Sequence, residues 1–256
     1  MNPKRNRNYT ALTIITGALS AGLSGGVVHA HETEAAAPKP PGWETSAAAG
    51  LTLTKGNSDT LLATLSLDTK RKWARDEASA GIAGGYGEND GDENTEFVKA
   101  FGQYNRLFTE RFYGGLRIDA SYDGIANLDY RVTVSPLLGY YLIKEAKTSL
   151  AVEAGPSLVL EKYKGEDSDT YLGARFAERF EHQLPDTTKI WQSLEYVPRV
   201  DRWTEKYVIT GEAGIDTAIS KRWSLRVVFQ DIYDSEPASG NKNNDLRLIA
   251  GTAYKF

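Results

Sequence analysis

The sequence predicts an all-β protein, a closed antiparallel up-and-down transmembrane β-barrel of about 12 strands. Three observations favour this class: a hydrophobic pattern with a period of two, long strands, and a secretory signal at the N-terminus. From residue 43 to residue 256 apolar and polar side chains alternate, and no stretch shows a helical period. Between residues 114 and 123, for example, Leu116 and Ile118 share one face and Arg117 lies on the other.

The predicted strands are about 11 to 15 residues long, whereas strands of soluble sheets usually have about five or six residues. A strand that crosses a membrane needs about 9–11 residues besides its protruding ends. In lipid, an open sheet edge leaves backbone groups unpaired at a cost of several kcal/mol each, so we expect the sheet to close into a barrel. The predicted strands are residues 44–55, 60–73, 77–87, 95–107, 111–123, 129–143, 148–162, 170–183, 189–199, 206–219, 223–233 and 245–256.

The N-terminal segment has the three parts of a secretory signal peptide, predicted here as residues 1–30. Three basic residues come first, a mostly apolar run follows over residues 11–28, and the tripeptide Val28-His29-Ala30 offers small residues to a signal peptidase. Residues 31–42 contain three prolines and are expected to form a flexible periplasmic lead-in to the barrel, residues 43–256.

Composition excludes several classes of protein. The 256 residues are 41% hydrophobic with a mean hydropathy of -0.43, too polar for a helical membrane protein but compatible with strands whose alternate residues face lipid. The chain has no cysteine, which excludes disulfides, thiolate metal sites and a lipoprotein anchor. Without residues 1–30, which hold three bases and no acid, 27 bases remain against 34 acids, and this balance argues against a nucleic-acid partner.

Charge and aromatic residues predict how the barrel is oriented. With the N-terminus in the periplasm, the odd-numbered connections face outside, and several of them are acidic, while the even-numbered connections are rich in lysine and arginine. Tryptophans cluster near the periplasmic end and tyrosines near the outer end, as in the aromatic girdles of membrane barrels. The predicted outer connections are Gly56–Asp59, Glu88–Glu93, Gly124–Leu128, Lys164–Asp169, Asp201–Glu205 and Asp234–Asn244. The girdle residues are Trp43, Trp73, Trp191 and Trp223 at one end and Tyr86, Tyr122, Tyr130, Tyr163, Tyr171, Tyr207 and Tyr233 at the other.

The last strand ends at Gly251-Thr252-Ala253-Tyr254-Lys255-Phe256, with aromatic or apolar residues at alternate positions. This resembles the C-terminal signal read by the outer-membrane barrel-assembly machinery. We therefore expect that machinery as a partner through the strand ending at Phe256, and outer-membrane lipid and lipopolysaccharide as the surroundings of the barrel.

Three segments resemble the YdiY-like family of salt-induced outer-membrane proteins, which is built on a domain of unknown function. They are Lys55–Thr60, then Tyr104-Asn105 with Thr109–Tyr113, and finally Tyr233–Pro237 with Gly240, Lys242 and Asp245. Asn243-Asn244-Asp245 departs from the lysine-aspartate-threonine run expected there. The resemblance implies an outer-membrane barrel and a link to salt or envelope stress, and it supplies neither catalytic residues nor a substrate.

The alternation also predicts which charged residues face the lumen. Such residues could form the wall of a narrow polar channel, or they could close the lumen by pairing with one another. The near balance of signs favours pairing, and about 12 strands fall short of the 16–18 that leave a wide pore. The predicted lumen residues are Lys99, Gln103, Arg117, Asp119, Arg131, Glu153, Arg175, Arg179, Glu195, Glu212, Asp216, Arg226, Gln230 and Arg247.

No pattern indicates catalysis, a cofactor or a transition-metal site. His182 lies at the periplasmic end of a strand without an evident nucleophile, so we expect a protein that is not an enzyme. The run of Glu88, Asp90, Asp92 and Glu93 has the oxygen-rich composition of a weak cation loop, although a solvated hairpin explains it better.

Three functions follow as hypotheses. The first is a non-enzymatic outer-membrane barrel, either a structural envelope component or a narrow channel for small solutes. The second is an outer-membrane enzyme acting on lipid or peptide, and the third is a soluble periplasmic barrel that binds a ligand inside. An apolar outward face decides against the third. Glu178, between Phe176 and Phe180 on the predicted lipid face, departs from the pattern and indicates either the periplasmic interface or a slip of register.

Overall fold

The structure is a computed structural model, and it describes residues 42–54, 60–185 and 187–256. The predicted signal peptide, residues 31–41 of the predicted lead-in and the connection Gly56–Asp59 lie outside these ranges. No helix in the described ranges is long and apolar enough to cross a membrane.

Twelve antiparallel strands form one closed barrel, in which each strand pairs with its neighbours in the chain and the last pairs with the first. The predicted fold class is therefore confirmed. The strands are β1 (Glu44–Thr54), β2 (Thr60–Lys72), β3 (Asp76–Asn89), β4 (Asp92–Leu107), β5 (Phe112–Asp123), β6 (Leu128–Lys144), β7 (Thr148–Tyr163), β8 (Asp169–Gln183), β9 (Thr188–Pro198), β10 (Tyr207–Ala218), β11 (Trp223–Asp234) and β12 (Asn244–Lys255).

Two connections differ from their prediction. The acidic segment Glu88–Glu93 is mostly strand, because a tight turn at Asp90 and Gly91, both with positive φ, lets β3 and β4 continue pairing. The connection between β9 and β10 contains a short 3-10 helix, Val200–Arg202. Three residues are too few to show a helical period in the sequence, so the helix was not predicted.

The two ends of the barrel differ in the length of their connections. We call the end with β1's first residue and β12's last residue the turn end, since its connections have three or four residues. At the opposite end, the loop end, the connection between β9 and β10 has eight residues and that between β11 and β12 has nine. Short periplasmic turns and longer outer loops are typical of bacterial membrane barrels.

The outward face of the barrel is apolar over the middle of the strands. Its side chains are exposed because nothing in the chain covers them, while the intervening residues point inside. This arrangement is the reverse of a soluble barrel and suits a lipid surrounding. Exposed members include Leu51, Leu65, Leu67, Ile82, Val98, Leu116, Ile118, Leu138, Leu172, Phe176, Leu194, Leu246 and Leu248.

Aromatic residues gather at both ends, but three of those predicted for the girdles point into the lumen. Tyr163 and Tyr171 are buried there, and Trp191 packs its ring over Gly214 on the neighbouring strand. Side chains alternate between the two faces of a strand, and Trp191 is four residues from the inward residue Glu195 on β9. Trp191 therefore also points inward. At the turn end Trp43 contacts Trp73, Trp223 contacts Tyr254 and Tyr254 contacts Phe256.

Candidate functional site in the barrel lumen

The lumen is crossed by an ion pair along its diameter. Nζ of Lys99 on β4 lies 2.8 Å from Oε2 of Glu212 on β10, and these two strands are separated by half of the twelve-stranded circle. Gln230 on β11 donates a second hydrogen bond to the same oxygen at 2.5 Å. Because β4 and β10 lie on opposite walls, this ion pair spans the lumen at this level.

A second cluster surrounds Glu153 on β7, whose side chain is only 1% exposed. Its carboxylate accepts hydrogen bonds from Arg179 at 2.5 Å, Gln103 at 2.7 Å, Tyr113 at 2.8 Å and Arg175 at 2.9 Å. The donors come from β4, β5 and β8, so one carboxylate ties together one side of the barrel interior. A buried charge with this many partners is satisfied, as burial requires.

Arg117 and Arg175 extend the Glu153 cluster towards β9. Nε of Arg175 donates a hydrogen bond to Glu195 at 2.7 Å. The guanidinium of Arg117 donates two hydrogen bonds to the carboxylate of Asp119, at 2.7 and 2.9 Å. Arg117 also lies 3.9 Å from Glu195. The bidentate geometry holds the side chains in one arrangement.

A third cluster lies at the loop end around Arg131. Its guanidinium donates to Glu161 at 2.8 Å and to Asp234 at 2.7 Å, so it connects β6 with β7 and, across the barrel, with β11. Tyr163 donates to the same Asp234 oxygen at 2.6 Å, and Nζ of Lys206 lies 2.5 Å from Glu161. This cluster stands between the lumen and the outer connections.

The last lumen groups form two smaller pairs. Arg226 donates to Asp216 at 2.7 Å and lies 3.6 Å from Asp68 on β2. Arg247 on β12 bonds to Asp123 on β5, and its guanidinium lies over the ring of Phe97. With these pairs, each charged residue predicted for the lumen has a partner of opposite charge.

Several lumen partners escaped sequence reasoning. Glu161 and Asp123 lie on the polar face that the alternation predicts, but they are not among the lumen residues predicted from the sequence. Lys206 lies in a connection, where alternation gives no information. At the edge of the loop-end cluster, Arg199 donates to Asp201 at 2.8 Å, and this hydrogen bond lowers the pKa of the Asp201 carboxyl.

The acidic hairpin between β3 and β4 lies outside the lumen. The hydroxyl of Tyr86 donates to Glu93 at 3.2 Å and to Glu88 at 3.5 Å, while Asp92 follows the turn at Asp90. Among the described residues no group of three or more acidic or histidine side chains is arranged to hold a metal ion.

His182 lies at the turn end of β8, as expected. Its Nδ1 is 2.8 Å from the hydroxyl of Thr148, and its ring stacks on Phe180 with centroids 6.4 Å apart. These contacts hold the ring against the barrel wall.

The sequence profile of a family described as "Protein of unknown function, DUF481" matches residues 47–256, which is nearly the whole barrel. The chain belongs to the DUF481 family. No curated protein sequence is significantly similar to this DUF481 member.

Solved structures similar in fold include several outer-membrane barrels. The NanC porin aligns over 83% of this chain and 96% of its own with 6% identity and a TM-score of 0.49. The KdgM porin aligns over 84% and 99% with 12% identity and a TM-score of 0.46. The translocator domain of the autotransporter NalP from Neisseria meningitidis aligns over 84% and 87% with 13% identity and a TM-score of 0.44.

Proposed function

We propose that this DUF481 protein is a non-enzymatic barrel of the outer membrane that acts as a structural envelope component, with a lumen held closed by its own ion pairs. The observation that carries the proposal is the contact of Lys99 with Glu212 across the full diameter. The Glu153 and Arg131 clusters add further barriers at other levels. The apolar outward face supports a place in lipid.

The physical basis is the cost of separating paired charges inside a protein. An arginine or glutamate that loses its partner in a poorly hydrated interior pays a desolvation penalty of several kcal/mol. A solute passing the lumen would have to break several such contacts, since they lie on different strands and at different heights. The lumen is therefore closed at rest.

Planar lipid bilayers provide the test. The wild-type protein should insert without steady conductance, whereas Lys99→Ala combined with Glu212→Ala should conduct above the wild-type level, because the contact across the diameter is gone and only the Glu153 and Arg131 clusters remain as barriers. Arg106→Ala with Asp76→Ala is the matched control, since this pair is bonded at 2.8 Å on the outer surface of the barrel. Equal, steady conductance from wild type and both variants would contradict a closed lumen.

A second candidate, a narrow gated channel, is favoured by the partial solvent exposure of Lys99 and Glu212. The side chains of Lys99 and Glu212 are 37% and 23% exposed, so salt can screen their attraction. In this case wild-type conductance appears at high ionic strength and rises faster than the conductivity of the solution. A closed lumen at every salt concentration would leave only the structural role.

Three further features complete the proposal. We propose that residues 1–30 are removed as a signal peptide and that the assembly machinery recognises the strand ending at Phe256. The resemblance to YdiY-like proteins adds a link to salt or envelope stress. Both the location and the salt response can be read on one gel, as set out in the Discussion.

A further inference from the structure

Glu178 is an ionisable side chain in the middle of the outward, apolar face. It lies on β8 between Phe176 and Phe180, and the register confirms that it points outward. Other outward ionisable residues lie near strand ends and have partners: Glu96 accepts from Tyr122, and Asp231 accepts from Asn244.

In the described part of the chain, no hydrogen bond or ion pair reaches the Glu178 carboxylate. A carboxylate that faces hydrocarbon without a partner is unfavourable, and ionisable residues in such places mark functional contacts. The carboxylate therefore needs a partner other than the described residues of this chain.

Gln192 on β9 is the polar neighbour of Glu178 on the outward face. Glu178 pairs directly with Leu194, so Gln192 is its diagonal neighbour, at a Cα separation of about 7–8 Å. Directly paired residues on successive strands form rows that are inclined to the barrel axis. One such row starts at the fourth residue of β1, near the turn end, and reaches the second residue of β8, near the loop end. That row is Ala47, Leu67, Ile82, Ala100, Ala120, Val132, Leu160 and Thr170.

This inclination decides the depth of the two polar groups. Leu194, on the next strand in the same row, lies nearer the loop end than Glu178. Gln192 is two residues back towards the turn end, so Gln192 and Glu178 lie at nearly the same depth in the membrane. One outward spot thus carries a hydrogen-bond acceptor and a donor side by side.

From this placement we propose that the outward face of β8 and β9 binds a second copy of this chain. A two-fold axis along the membrane normal, passing between Glu178 and Gln192, brings each carboxyl against the amide of the other copy. The Gln192 amide can donate to a carboxylate or accept from a protonated carboxyl, so the contact forms in either protonation state. The pair is self-complementary, as an isologous interface requires.

An apolar groove next to Glu178 supplies the surrounding surface. It has a volume of about 520 Å³ and lies on the outward side of β6 to β9, between Leu138, Val152, Phe176 and Leu194. Apolar side chains of a second copy can enter it and exclude lipid around the polar contact. The inference rests on the proposed place of the barrel in the outer membrane.

The absence of cysteine makes cross-linking specific. Leu194→Cys, beside the proposed axis, should give a covalent dimer with a short thiol-reactive cross-linker in outer membranes. Leu65→Cys, 69% exposed on the opposite side of the barrel, is the control and should remain monomeric. In the Leu194→Cys background, Glu178→Leu with Gln192→Leu should reduce the dimer to the control level, and Glu178→Gln should retain it.

The leucine variants are expected to fold, because leucine suits a lipid-facing position, and the heat-dependent shift on a gel checks this. If Leu194→Cys cross-links no more strongly than Leu65→Cys, the proposed dimer is wrong. The barrel proposal still stands in that case, provided that the membrane fraction contains a band that shifts on heating. Full cross-linking in the Glu178→Leu, Gln192→Leu variant also overturns it. If the protein is absent from the membrane fraction, the proposed function itself has failed.

Discussion

At the scale of single residues, Glu153 shows how the lumen is held together. Its carboxylate is almost completely buried, and so is its partner Arg175, at 2% exposure. Neither charge could remain inside without a counter-charge: Glu153 is compensated by Arg175 and Arg179, and Arg175 by Glu153 and Glu195. Arg175, Arg179 and Tyr113 each donate a hydrogen bond to the Glu153 carboxylate.

Glu153→Gln should lower the free energy of unfolding by about 3–5 kcal/mol, since it leaves Arg175 buried without its full counter-charge. Urea titration of the detergent-folded barrel, followed by tryptophan fluorescence, measures this change. Asp201→Asn removes a carboxylate from an exposed pair with Arg199 and should change stability by no more than about 0.5 kcal/mol. Equal effects of the two variants would show that the Glu153 cluster contributes little.

A glycine gives Tyr113 its place in the Glu153 cluster. A Cβ atom at Gly139 would collide with the ring of Tyr113, which packs against the bare backbone of the neighbouring strand. Gly139→Ala should therefore displace the ring and cost about 1–3 kcal/mol in urea titration. Gly102→Ala is the control, because a Cβ there meets nothing within 4 Å. If Gly139→Ala leaves the free energy of unfolding unchanged, the Tyr113 ring can move without destabilising the barrel.

At the scale of strands, the seam between β1 and β12 has the fewest residue pairs of any two neighbouring strands in the barrel. Four residue pairs join β1 to β12, whereas eleven join β1 to β2. Fewer pairs mean fewer ladder hydrogen bonds, so the barrel is expected to open first at this seam.

A disulfide across the seam tests this order of opening. Ala48 and Ala253 face each other, and Ala48→Cys with Ala253→Cys should raise the temperature of the heat-dependent gel shift after oxidation. Leu67→Cys with Ile82→Cys joins β2 to β3, a fully paired seam, and should raise that temperature less. An equal increase from both disulfides would contradict early opening at β1 and β12.

At the scale of the whole molecule, the barrel is built with an apolar outside and a charged inside. This distribution suits lipid because the apolar belt can contact hydrocarbon and the closed barrel pairs each strand with two neighbours. The charged inside carries the proposed closure of the lumen, because opposite walls meet at Lys99 and Glu212.

We expect the mature chain in the outer-membrane fraction as a band that runs compactly unheated and shifts after boiling. If the protein responds to salt stress, the amount of this band increases when cells are moved to high salt, relative to an unrelated barrel in the same fraction. A soluble periplasmic band without a shift would contradict the membrane location. A constant amount would contradict only the salt link.

The alternation of residues was enough to predict twelve strands and the inward direction of their charges. Both properties depend on the period of two, which is local: a residue faces the side opposite to that of its neighbours wherever the strand continues. For the same reason Glu178 was placed on the outward face from its neighbours Phe176 and Phe180, and the register agrees. The alternation also puts Glu161 and Asp123 on the polar face, but it does not show that they pair with Arg131 and Arg247.

Only the tertiary structure decided which charges meet. Lys99 and Glu212 are 113 residues apart, and their contact depends on closure of the barrel and on the inclination of its rows. The same applies to Trp191, whose ring lies over Gly214 rather than in a girdle. Sequence period determines the side on which a residue lies, whereas height and partner follow from the sum of all registers around the barrel, which no single segment contains.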